Sequence, residues 1–315
     1  MKFGILSGSL WGLDTVILGI AFTIIPFLSS PHAALASAAI HDTIAALLLL
    51  AFMGVRRRLT DTYNAVKSHS GRAVMIAAIL GGPVGMTGYL IAINHIGPGF
   101  TAIISTFYPA VGTFLAYLFL KERMSFKQII ALVVALCAII AVGWSSSTTA
   151  EGSTLIGIIA ALACVFGWGS EAVILAWGMR NEAVDNQTAL HIRQTTSALT
   201  YLLVVIPLMG TLPFISHATF SWGTVVIGIA ALAGTASYLF YYRAIDTIGA
   251  SRAMAANISY SAWALLFAFI IFGTIPTAFQ MICCVIILCG TTLAATSDWK
   301  TIIAPSRLNR STHQS

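Results

Sequence analysis

The chain is a succession of apolar runs, each about twenty residues long, parted by short polar breaks. A helix rises about 1.5 Å per residue, so a run of this length crosses a hydrocarbon layer of about 30 Å. The pattern predicts ten such helices, over approximately 4–28, 33–55, 73–95, 99–120, 127–144, 154–179, 188–212, 222–242, 251–273 and 277–297. Inside lipid each backbone amide must be satisfied within its own segment, so the expected fold is an all-α integral membrane protein. The opening run contains Asp14 and continues to Phe27 without a small-residue cleavage site, and is read as a retained first helix rather than a secretory leader.

Composition sharpens this picture. Of 315 residues, 58% are hydrophobic and 8% charged, which leaves too little polar surface for a water-soluble exterior. The net charge of +6 would suggest nucleic acid in a soluble protein, but here its distribution sets orientation. With the N-terminus inside, fifteen of the sixteen Lys and Arg residues fall on the cytoplasmic side, and the outer loops carry none. The expected location is therefore the cell (inner) membrane, multi-pass, with both termini cytoplasmic. The exception is Arg193, in the seventh run. The five cysteines (Cys137, Cys164, Cys283, Cys284, Cys289) sit in apolar runs without ligand spacing and read as small hydrophobes, so no metal and no cofactor is expected.

The two halves resemble each other. Trp11-Gly12-Leu13-Asp14 in the first run matches Trp168-Gly169-Ser170-Glu171 in the sixth, and Ala92-Ile93-Asn94-His95-Ile96-Gly97 matches Ala244-Ile245-Asp246-Thr247-Ile248-Gly249. Five crossings per half turn the second upside down relative to the first, giving the five-plus-five inverted repeat of secondary transporters. The expected organisation is a first repeat over 1–148, a second over 153–299, and a basic cytoplasmic tail over 300–315.

Strings from the first helix to the ninth carry a family resemblance. They include Trp11-Gly12, Ile40-His41-Asp42, Gly82-Pro83-Val84-Gly85, Tyr108-Pro109-Ala110, Gly167-Trp168-Gly169-Ser170-Glu171, Ile192-Arg193-Gln194-Thr195 and Asn257-Ile258-Ser259-Tyr260. The chain resembles the drug/metabolite transporter superfamily of the EamA type and, within it, the LicB-type choline permeases. That resemblance implies import of choline, with protons as the coupling ion.

Candidate residues follow from that chemistry. A quaternary ammonium has no hydrogen to donate, and aromatic faces recognise it at about 2 kcal/mol per desolvated contact. Trp11 and Trp168 are repeat equivalents; Tyr238, Tyr241 and Tyr242 share one helical stripe; Tyr260 and Trp263 share another; and Tyr108 is the equivalent of Tyr260. Gln194 and Asn257 are candidates for the alcohol end. Tyr201, Trp144, Trp177, Trp222 and Trp299 read as interfacial or packing residues. Asp14, Asp42 and Glu171 are acids deep in apolar runs, where a carboxylate costs roughly 2.5–3.5 kcal/mol and faces a cavity. They are expected to compensate charge or couple protons. His41 is a possible relay, although adjacent residues such as His41 and Asp42 point to different helix faces. Arg193 is expected to pair with an embedded acid. Gly82, Pro83, Gly85 and Pro109 interrupt their helices and are candidate hinges.

Other functions fit less well. An exporter of an amino acid or other metabolite belongs to the same superfamily. A membrane enzyme acting on lipid-linked substrates needs clustered catalytic groups, whereas the loops offer only scattered Asp61, Glu151, Asp185 and His217. No loop cradles phosphate, so gradients must supply the energy; about 100 mV alone contributes roughly 2.3 kcal/mol per charge.

Overall fold

The computed structural model describes residues 1–28, 30–145, 152–180, 184–296 and 299. Among these the chain is helical throughout, as α1 (Lys2–Ala21), α2 (Ala33–Val55), α3 (Leu59–Lys67), α4 (His69–Gly97), α5 (Phe100–Leu120), α6 (Phe126–Trp144), α7 (Thr154–Gly178), α8 (186–208), α9 (Leu212–Ala218), α10 (Trp222–Ile248), α11 (Ala250–Phe272) and α12 (Ala278–Ala295). Nine of these are long and apolar enough to cross a membrane. The expected seventh crossing, α8, is helical but too polar in its first half, which holds His191, Arg193 and Gln194, to count with them. The expected tail, 300–315, lies outside the described residues.

The exterior is apolar and the interior polar, as lipid requires. Phe119, Leu203, Ile270 and Val285 are exposed, whereas Asp14, Arg193, Gln194 and Ser197 are buried. With no hydrophobic drive between helices in lipid, close packing of small residues takes over. On α1, Gly4, Gly8 and Gly12 form one ridge against α11, where an added Cβ would lie 2.5 Å from Ala256, 2.3 Å from Ser259 and 2.8 Å from Ala264.

The contacts follow a two-fold pattern. Helix α1 packs on α10 and α11, and its counterpart α7 packs on α4 and α5; α2 pairs with α8, and α6 with α12. The backbone repeats as well. The six described residues with positive φ form three equivalent pairs: Arg57 with Gly210, Gly97 with Gly249, and Lys121 with Gly273. Two long helices also bend: α4 passes through a wide π-type turn over Leu80–Met86 that contains Pro83, and α5 breaks before the short helix Tyr108–Leu115, with Pro109 in its first turn.

Candidate functional site

Side chains scattered through the sequence converge between the two halves. A cavity of about 520 Å³, the size of a small-molecule site, runs from Phe22, Phe27 and Pro31 at one face to Trp11, Trp168, Tyr238 and Tyr260 deep inside. The same four aromatic residues also line a smaller chamber of about 60 Å³, which extends to Tyr108, Tyr241, Glu171 and Asn257. They therefore stand where the two spaces meet.

The rings hold one another by edges. Trp11 meets Tyr238 at 5.1 Å and 82°, and Trp168 meets Tyr108 at 5.7 Å and 88°, the edge-to-face geometry that aromatic quadrupoles favour. Tyr89 also lies 5.5 Å from Trp168, its ring tilted by 31°. The Trp168 indole N–H donates to the Gly81 carbonyl at 3.0 Å.

The charged groups repeat between the halves too. Ile40-His41-Asp42-Thr43 on α2 corresponds to Ile192-Arg193-Gln194-Thr195 on α8. His41 Nε2 lies 3.1 Å from Asp14 Oδ1, and Arg193 donates from Nε to Glu171 Oε1 at 2.8 Å. In each half, then, the base on the second helix pairs with the acid three residues beyond the tryptophan. Each base also reaches its own neighbour: His41 Nδ1 lies 3.4 Å from Asp42 Oδ1, and Arg193 donates to Gln194 Oε1. The halves are tied together by Asp42 Oδ2, which accepts from Ser197 at 2.6 Å and lies 3.5 Å from Arg193. Arg193 further donates to the Tyr238 hydroxyl at 3.1 Å.

Towards the start of α1 a set of hydrogen-bonded side chains borders the smaller chamber. Tyr108 donates to Asn257 at 3.2 Å, Asn257 to Ser7 at 2.8 Å, and Ser237 to the Ser7 carbonyl at 2.8 Å, a polar chain across α5, α11, α1 and α10. Below it, Glu122 accepts from the backbone N–H groups of Ala250 and Ser251, capping the start of α11.

The outcome for the expected residues is mixed. Trp11, Trp168, Tyr108, Tyr238, Tyr241, Tyr260 and Asn257 line one or both spaces, as do Asp14, Asp42, His41, Glu171 and Arg193. Tyr242, Trp263 and Gln194 line neither. Tyr242 is fully buried on the far side of its helix stripe, Trp263 packs on Phe267, and Gln194 is engaged by Arg193. Tyr201, expected at an interface, lines the large cavity instead. His41 and Asp42 do meet, although adjacent helical positions were expected to diverge, because the imidazole turns back towards Asp42 while still reaching Asp14. Gly82 and Gly85 sit in the wide turn against Ser197 and Trp168. Sequence reasoning passed over Ser7, Ser197, Ser237 and Tyr89. Ser7 was within reach, since 7, 11 and 14 fall on one helical face.

Comparison with known proteins agrees with this architecture. Protein LicB of Haemophilus influenzae is 31% identical over 194 residues, 60% of this chain and 63% of that protein, so the match spans less than two thirds of the relative. A solved crystal structure of a protein superimposes with a TM-score of 0.67 at 17% identity, covering 93% of this chain and 95% of the other, and speaks for the fold alone. The EamA-like transporter family matches twice, over residues 3–144 and 155–296, and the chain, a multi-pass membrane protein, belongs to that family.

Proposed function

We propose that this transporter imports choline or a closely related quaternary ammonium by alternating access, with protons as the coupling ion. The observation that carries this reading is that Trp11 and Trp168, from equivalent helices, border the same two cavities together with Tyr238 and Tyr260. A cation there trades its hydration for aromatic faces. Asp14 and Glu171, one helical turn beyond each tryptophan, supply negative charge. Tyr108 and Tyr241 extend the cage, and Asn257 is within reach of an alcohol.

Ten crossings in two inverted five-helix repeats, 1–148 and 153–299, would let the halves rock around this point, with Gly82, Pro83, Gly85 and Pro109 as hinges. With both termini on the cytoplasmic side of the inner membrane, the large cavity faces outward and the Ser7–Asn257–Tyr108 chain is the inner closure. The resemblance to LicB-type permeases supports choline as the cargo.

Export of an amino acid is the second reading. A zwitterion needs a cation for its carboxylate, and Arg193, the arginine among the described lining residues, is already engaged by Glu171 and Asp42. Radiolabelled choline uptake into proteoliposomes under an imposed inside-negative voltage tests the proposal. Saturable choline accumulation is expected, abolished by Trp168→Ala in a folded protein. Competition by amino acids instead of quaternary ammonium ions would overturn it.

A further inference from the structure

We infer that His41 carries the coupled proton, one proton for each monovalent cation, while its repeat counterpart Arg193 serves as the fixed charge of the second half. This rests on the cation-import reading above and assigns the proton within it.

Geometry supplies the first argument. His41 presents both ring nitrogens to carboxylates, Nε2 to Asp14 at 3.1 Å and Nδ1 to Asp42 at 3.4 Å. An ionised carboxylate only accepts hydrogen bonds, and a neutral imidazole has a single N–H. Only the imidazolium donates to both. The site thus offers a proton a seat between two acids on α1 and α2, and its loss leaves one nitrogen lone pair facing a carboxylate.

Repeat symmetry supplies the second. Arg193 occupies the equivalent position, pairs with the equivalent acid and contacts its own neighbour in the equivalent way. Arginine never gives up its proton, whereas histidine is the side chain that exchanges one in the physiological range. One half has a permanent cation where the other has a switchable one.

Charge balance supplies the third. Apart from tyrosine hydroxyls, the ionisable groups among the described residues lining the two spaces are Asp14, Asp42, Glu171, His41 and Arg193. Three carboxylates face one guanidinium, which leaves two negative charges unmatched. A proton on His41 cancels one and a monovalent cation cancels the other. A transporter that must occlude its cargo in a low dielectric is therefore neutral only when both are aboard. Among the described residues, the remaining titratable side chains lining the cavity with His41 are Tyr89 on α4, Tyr201 on α8, Tyr238 on α10 and Tyr260 on α11.

The test uses the purified full chain in proteoliposomes with voltage clamped at zero. One proton per cation predicts tenfold choline accumulation for each pH unit of acid-outside gradient. Accumulation that ignores the gradient, or follows it a hundredfold per unit, overturns the stoichiometry. In His41→Arg, and in His41→Lys should the first fail to fold, the charge is kept without a proton to exchange, so the gradient response is expected to vanish while choline counterflow exchange persists. A retained gradient response would acquit His41. Loss of exchange as well would make His41 part of the cation site rather than the proton carrier. If the wild type exchanges no quaternary ammonium at all, the cation reading itself fails, an outcome separate from both.

Discussion

The indole of Trp168 donates its N–H to the backbone oxygen of Gly81 across 3.0 Å, fastening a cage tryptophan of α7 to the wide turn of α4. The turn exists because Pro83 has no N–H to give and because Gly81, Gly82 and Gly85 lie close to it in the chain. Those glycines also make room, since a Cβ on Gly85 would lie 2.9 Å from Cδ1 of Trp168.

It follows that Gly85→Ala displaces the indole. Overpacking of this kind costs about 1–3 kcal/mol. Thermal unfolding in detergent should report that loss, together with weakened choline binding. Gly228→Ala is the control: its Cβ meets only Ile44 at 3.6 Å, so stability should hold or rise.

Arg193 ties two buried acids from two helices, and removing it leaves Glu171 without its cation and Asp42 with only His41 and Ser197. Breaking such a pair from one side costs about 3–5 kcal/mol. Arg193→Ala should therefore yield little folded protein, measured as the monodisperse fraction after extraction. Arg193→Lys should recover it only partly, because an ammonium lacks the fork that reaches Glu171, Asp42 and Tyr238 together. The double variant Arg193→Gln with Glu171→Gln should be more stable than Arg193→Gln alone.

Outside the membrane, Arg58 pairs with Asp61 and with Asp185, so the loop after α2 is tied to the cap of α8. Burial pushes the Asp185 carboxyl up, but the Thr188 N–H, the Arg58 guanidinium and the Gln187 N–H outweigh it and hold the group below its ordinary 3.8. A carboxyl depressed in the folded state stabilises fully above its unfolded value and loses that contribution as pH falls through the folded one. Asp185→Asn should thus lower the unfolding temperature slightly at pH 7 and by less at pH 3. Equal shifts at both pH values would count against the pairing.

The fold was legible because lipid imposes a plain rule: long apolar runs become helices, and α1, α2, α6 and α7 start within a few residues of the predicted limits. Sequence periodicity also brought Trp11, Asp14, Trp168 and Glu171 together, since a residue and its neighbour three or four places on share a face. It erred where a helix is buried on several sides. Tyr238, Tyr241 and Tyr242 share a stripe, yet that stripe is broad enough for the first two to reach the cavity while Tyr242 turns into the core, its hydroxyl without a partner among the described residues. The polar chain of Ser7, Ser237 and Asn257 joins residues more than two hundred positions apart, and no local pattern announces such a meeting. The His41 contact with Asp42 depends on side-chain rotation, which helical phase does not specify.

The cage is tested most directly by the affinity of the purified protein for choline relative to 3,3-dimethylbutanol, which has the same shape without the charge. About 2 kcal/mol from one desolvated cation–π contact corresponds to roughly thirty-fold. Choline should bind at least that much more tightly, and the margin should shrink in Trp11→Ala and in Trp168→Ala. Equal affinity for the charged and uncharged molecules would contradict the account.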